Sequence, residues 1–132
     1  MTIERGHVLS YWYLWRRQAE TGWLEPEKPR EAVVAVVVGE GSRRRVLLLP
    51  ITKQPPRAGR VAYELPAGEV RRLSRGDAQR LWVMLDELNE EPIGSERLAE
   101  AALRGALSDT VFRDLYAAFY AQRGKLKRVP RD

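Results

Sequence analysis

The chain's 132 residues are 44% hydrophobic and 31% charged, enough apolar side chains for one domain core, which excludes wholesale disorder. No cysteine and a single histidine, His7, exclude disulfides, thiolate metal sites, cysteine nucleophiles and zinc sites built on several imidazoles. The net charge of +5 is unevenly spread: residues 31–60 carry six basic and two acidic side chains, residues 122–132 five and one, residues 61–91 four and seven.

Gly6 to Trp15 is rich in aromatic and β-branched residues and predicts a strand. Arg16 to Arg30 reads as a long polar loop, with Gly22, Pro26 and Pro29 set against any helix. Ala32 to Val38 is a continuous valine-rich run, the pattern of a strand buried on both faces. Gly39 to Ser42 is turn chemistry and Val46 to Ile51 a second apolar strand, so a central hairpin is expected. Beyond a loop at Pro55-Pro56 and Gly59, Val61 to Leu65 predicts a short strand stopped by Pro66, and Gly68 to Leu73 one helical turn. Leu81 to Leu88 suits a strand by its Trp, Val and Met, although Asp86-Glu87-Leu88-Asn89 also suits a helix end; a strand is preferred.

Ser95 to Leu107 is helical by propensity. In the last helix Ser108 is the N-cap, Asp109 suits the positive end, Val111, Leu115, Ala118 and Phe119 share a face, and Gly124 stands at C′. Residues 1–124 then form the domain and 125–132 a basic tail expected to fray. Five short strands and a terminal helix predict a mainly β fold with α, a small barrel or sheet with the helix packed on it.

The sequence lacks a glycine-rich phosphate loop and any metal-ligand motif, so neither a metal nor a cofactor is expected. A serine triad would have to recruit His7, and no serine sits in a nucleophile elbow. Arginines, hydroxyls and aromatic surfaces remain. These suit phosphodiesters, whose negative charge grows during in-line displacement. The two separated basic segments also point to a polyanion such as nucleic acid. The longest apolar run, seven residues from Ala32 to Val38, is too short for a bilayer core of about 30 Å. The opening Met-Thr-Ile-Glu-Arg-Gly-His lacks the apolar stretch of a secretory signal, so a cytoplasmic protein without membrane contact is expected.

The order of several motifs resembles the PemK/MazF toxin family. These are Gly6-His7-Val8, a long loop ending in Lys28-Pro29-Arg30, the run Ala32-Val33-Val34, and Leu48-Leu49-Pro50-Ile51-Thr52. Tyr63-Glu64-Leu65-Pro66, Leu81 to Asn89 and Gly105-Ala106-Leu107-Ser108 extend the resemblance over nearly the whole chain. Tyr13-Leu14-Trp15 and Arg128-Val129-Pro130-Arg131 place it nearest a PemK-like branch. The resemblance implies an SH3-like small β-barrel with short helices and a C-terminal helix, usually a homodimer. It also implies a strand or irregular stretch before Gly105, against the helical propensity there, and that expectation is followed.

In function, the resemblance implies a metal-independent endoribonuclease toxin of a type II toxin–antitoxin system. Such an enzyme cleaves single-stranded RNA, mRNA in particular, by attack of the RNA's own 2′-hydroxyl. A cognate antitoxin with an acidic segment would cover the basic groove. Arg30 and Thr52 match the family's catalytic positions. Arg30 would hold the non-bridging oxygens bidentately, since a guanidinium stays protonated and is a poor base. Thr52 would bond the phosphate or position the attacking hydroxyl. Lys53, Gln54, Arg57 and Arg60 follow Thr52 and are read as RNA-binding, as are Arg16, Arg17 and the loop residue Trp23, on which a base can stack.

His7 is either a base or a half-exposed histidine at a strand start, and it stands where the family more often has an acidic residue. Glu31 replaces the family's proline and raises the expectation of an ion pair that weakens Arg30. Arg43-Arg44-Arg45 reads as a solvated turn, and Arg71, Arg72 and Arg75 as surface pairs. The alternative function is a non-catalytic module on the same fold that binds RNA, or a protein as gyrase poisons do.

Overall fold

A computed structural model describes residues 2–74 and 78–131. Its strands are β1 (His7–Tyr11), β2 (Arg30–Val38), β3 (Arg45–Thr52), β4 (Ala62–Glu64), β5 (Trp82–Met84), β6 (Glu87–Pro92), β7 (Ala102–Ala106) and β8 (Lys127–Pro130). The helices are α1 (Arg16–Glu20), α2 (Ala67–Ser74), α3 (Glu96–Glu100) and α4 (Asp109–Ala121). The fold is therefore mainly β, with four α-helices among the described residues. No helix is long and apolar enough to cross a membrane among the described residues.

The expected hairpin of β2 and β3 is the centre of the sheet. Pairing runs β4-β5-β3-β2-β1-β7, and β3 branches: Arg45 to Leu48 pair with β6, while Ile51 and Thr52 pair with β5. Pro50 sits between the two branches, where its missing N–H withholds nothing from either neighbour. All pairs are antiparallel except β6 with β8.

The valine-rich run behaves as its composition demands. Ala32, Val33, Val34 and Ala35 are all fully buried, because alternate residues enter two different cores. Val33 and Ala35 join a core closed by Val70 and Leu73 of α2 and by Val111, Leu115 and Phe119 of α4. Ala32 and Val34 join a second core with Tyr11, Tyr13, Trp15, Leu48, Met84 and Leu98. Each fully buried Val or Leu contributes about 1.5–3 kcal/mol of burial. A register shift between Val34 and Val36 bulges β2 beyond this alternating stretch.

Gly6 at φ +88° turns the chain into β1. It donates to Val34 O at 2.8 Å and accepts from Leu107 N at 2.9 Å, with Phe112 packed over it. Ser108 accepts from Val111 N as expected of the N-cap, and Val111, Leu115 and Phe119 form the buried face of α4.

Several expectations are corrected. The loop after Trp15 opens with α1, because Gly22, Pro26 and Pro29 all lie beyond its end. Residues 81–88 divide between β5 and β6, with Asp86 at the turn. Residues 95–107 divide in the same way. Ser95 caps α3, and β7 then pairs with β1, satisfying both the propensity and the strand expectation. The last helix ends at Ala121 with Gln122 as its C-cap, and Gly124 lies in a following 3₁₀ turn rather than at C′.

Among the described residues of the expected basic tail, a strand forms instead of a loose end. Lys127–Pro130 extend the sheet beside β6, and Arg131 is buried at 4% exposure. The reason is β6 itself, whose Glu87, Asn89 and Glu91 alternate onto one buried face and require donors. Asn89 exchanges bonds with the Leu14 backbone at 2.7 and 2.8 Å, Tyr13 Oη donates to Glu87 at 3.1 Å, and Tyr11 Oη donates to Glu91. Arg131 Nη1 donates to Trp12 O at 2.7 Å and to Asn89 Oδ1 at 3.2 Å. Burial, together with these acidic acceptors, pushes the Tyr11 and Tyr13 hydroxyls well above their ordinary pKa.

Candidate active site at the ends of β2 and β3

Across the central hairpin Val34 faces Leu48, Val33 faces Leu49 and Ala32 faces Pro50. That pairing ends at Ala32 and Pro50, two residues short of Arg30 on β2 and of Thr52 on β3, where Arg30 pairs with Tyr11 and Thr52 with Trp82. Arg30 and Thr52 line one surface cleft of about 330 Å³, with Trp15, Arg17, Gln54, Pro55, Pro56, Arg57, Arg60 and Met84. Trp15 and Met84 also belong to the second core, so the cleft is the open end of that core.

Arg30 is exposed, and among the described residues it pairs with no carboxylate; the same holds for Arg17 and Arg57. The expected pairing of Arg30 with Glu31 is absent, because neighbours on a strand point to opposite faces. Thr52 is half-buried, and its Oγ1 accepts from Gln54 N at 3.1 Å, which leaves the hydroxyl hydrogen available to a ligand. Arg17 lies over the Trp15 ring with its guanidinium carbon 5.2 Å from the centroid, a cation–π contact that holds the charge at the rim.

Arg60 lines the cleft in a different condition. Its Nε and Nη2 clamp Asp86 at 2.8 Å each, and Nη2 reaches Glu87 at 2.9 Å. The Asp86 hydrogen bond raises the Arg60 pKa, so this cation is fixed and already neutralised. Burial raises the Asp86 pKa, but hydrogen bonds from Arg60 and Val61 N outweigh that and hold it below its ordinary 3.8.

The remaining expected residues lie elsewhere. Lys53 is exposed and does not line the cleft. Arg16 and Trp23 line a separate groove beside β8, and Arg16 pairs with Glu20 at 3.0 Å. His7 starts β1, with Nε2 3.3 Å from Glu4, whereas Tyr11 at the strand's other end pairs with Arg30. That separation is four residues of strand, about 13 Å, too far for a base acting at Arg30. Arg43 is exposed on its turn, Arg44 bonds Gly41 O, Arg45 pairs with Glu90 and Arg72 with Glu69. Arg75 falls outside the described residues.

Trp15 and Met84 were not anticipated as cleft residues. The aromatic cluster from Tyr11 to Trp23 signalled a stacking surface but not which ring would reach it, since that depends on where α1 begins. The cleft offers four guanidiniums, one hydroxyl and one amide, with no histidine or carboxylate among its lining residues. Chemically it can bind and polarise an oxyanion. It cannot take a proton by any of these groups at neutral pH. The chain matches no protein-family model, no curated protein and no solved structure.

Proposed function

We propose that the chain is a metal-independent endoribonuclease toxin of the PemK/MazF kind, on an SH3-like barrel, that cuts single-stranded RNA at the cleft of Arg30 and Thr52. The observation that carries this reading is that these two residues, at the neighbouring ends of β2 and β3, line one cleft whose Arg17, Arg30 and Arg57 face no carboxylate among the described residues. Arg30 takes two non-bridging oxygens and stabilises the charge that builds at phosphorus. Thr52 donates its hydroxyl to the same phosphate. The RNA 2′-oxygen attacks phosphorus, the bond to the 5′-oxygen breaks, and the products are a 2′,3′-cyclic phosphate and a 5′-hydroxyl. The lost 2′-proton passes to solvent, which also protonates the leaving oxygen. Catalysis here is charge stabilisation and positioning.

In cells the reading implies an antitoxin whose acidic segment neutralises the cleft, and a homodimer in the cytoplasm. The experiment is incubation of end-labelled single-stranded RNA with the purified chain in excess EDTA. Cyclic-phosphate ends, lost with Arg30→Ala and Thr52→Ala in folded protein, support it. A second reading has its own observation: a cleft without a side-chain base suits a module that binds RNA and leaves it intact. Salt-sensitive binding without cleavage selects that reading. No binding at low salt sinks both.

A further inference from the structure

A second cavity lies away from Arg30, between α1, the segment that follows it and β8, and its volume is about 660 Å³. That is within the range of small-molecule sites. Leu14, Ala19, Trp23 and Val129 supply apolar wall, and Leu24 at the rim is 82% exposed. Two arginines, Arg97 and Arg131, also line it.

The guanidiniums of these arginines are incompletely used. The Arg131 side chain is 1% exposed. Its Nη1 is spent on Trp12 O and Asn89 Oδ1, while the buried Nη2 has no hydrogen-bond acceptor. Arg97 Nη1 donates to Arg131 O at 2.6 Å and Nη2 to Glu25 Oε1 at 3.1 Å, but its buried Nε donates to nothing. Nε and Nη2 form the guanidinium edge that clamps a carboxylate with two parallel bonds, and Glu25 uses half of it. The other Glu25 oxygen stops 3.5 Å from Arg131 Nη2, an ion pair without a hydrogen bond. Two donors, Arg97 Nη2 and Arg131 Nη2, therefore meet one carboxylate that satisfies only the first, and Arg97 Nε on the same guanidinium edge is left unmet. Buried donors left unmade are costly, whereas Glu25, with its side chain 65% exposed, loses little by returning to water.

The geometry points to a second binding site, in which a small carboxylic acid carrying an aromatic or aliphatic group displaces Glu25. The ligand carboxylate engages Arg97 Nε and Nη2 together with Arg131 Nη2, and its apolar part lies against Trp23, Leu14 and Val129. A carboxylate is the class assigned because the chain's own occupant of this position is one. The site shares no lining residue with the cleft of Arg30 and stands whether or not that cleft cuts RNA.

The test is calorimetric titration of the full chain with indole-3-acetate, beside indole-3-acetamide and phenyl phosphate, with the Arg97 Nε resonance followed by NMR. Indole-3-acetate is expected to bind and shift that resonance, and the neutral amide to do neither. Glu25→Gln, on an exposed side chain, is expected to fold normally and to tighten indole-3-acetate about fivefold by removing the internal competitor. Arg97→Gln is expected to abolish binding in a chain whose circular dichroism is unchanged. The proposal is overturned by absence of heat at millimolar indole-3-acetate, or by equal binding of the amide. It is also overturned by preference for phenyl phosphate, or by an affinity that Glu25→Gln leaves unchanged. An Arg97 Nε resonance indifferent to saturation, as a donor served by water alone would be, overturns it equally.

Discussion

Arginines among the described residues live in two conditions, exposed without a carboxylate partner in the cleft or held by the acceptors around β6. In the cleft at the ends of β2 and β3, Arg17, Arg30 and Arg57 meet no carboxylate among the described residues. Around the buried face of β6, by contrast, Arg60 is clamped by Asp86 and Glu87, and Arg131 is locked to Trp12 O and Asn89. An exposed cation without a partner contributes almost nothing to folding and keeps its charge for a ligand. A buried cation with acceptors holds the chain together, and its loss strands the acceptors. The +5 net charge therefore overstates what the fold needs and understates how sharply the free charge is concentrated.

The largest effect expected from breaking this contrast is on the buried side. Arg131→Ala should lower stability to urea by about 3–5 kcal/mol, because Asn89 and Trp12 O lose two buried charge-assisted hydrogen bonds of roughly 1.5–3 kcal/mol each. A loss below 1 kcal/mol would mean that the C-terminal strand is not fastened through this residue. On the open side, Arg30→Ala should leave the urea midpoint within about 0.5 kcal/mol of the parent. The same change should cut RNA cleavage roughly 10²–10³-fold. A variant that lost both together would place Arg30 with the structural arginines.

Asp86→Asn should cost about 2 kcal/mol at neutral pH through the broken clamp on Arg60. Because the folded Asp86 pKa is depressed below 3.8, its contribution is present above that value and lost as pH falls through the lower folded pKa. The parent and Asp86→Asn should accordingly converge in stability in acid, as acid titration of the urea midpoint will show. Thr52→Val should slow cleavage by about tenfold with unchanged fold, the loss of one hydrogen bond to the phosphate. Smallest is Arg57→Ala, which should reduce the slope of log RNA affinity against log salt by about 1. An equal change from Arg60→Gln would show that pairing with Asp86 does not withdraw that charge from RNA.

The central hairpin and the capped last helix were legible because each depends on neighbours in sequence. A run of valines needs two apolar faces, and a serine before an acidic turn caps whatever helix follows. Arg30 and Thr52 were found through their motif context, and the register of β2 on β3 explains why motifs separated by a hairpin share one site. The polar row of β6 was harder to read. Glu87, Asn89 and Glu91 alternate as a strand should, but with the polar residues inward, so periodicity alone argued for the opposite face. The same row also hid the role of Arg131, read as part of a loose basic tail.

The sequence by itself determined the mainly β character and the hairpin at the centre, since propensity and periodicity are local properties of a chain. Only the tertiary structure decided which arginines are spent and which are free. Arg57 and Arg60 stand three positions apart in the same loop, yet Asp86 and Glu87 reach only Arg60. That choice is made by the turn between β5 and β6, which brings two carboxylates to one guanidinium and leaves the other facing the cleft.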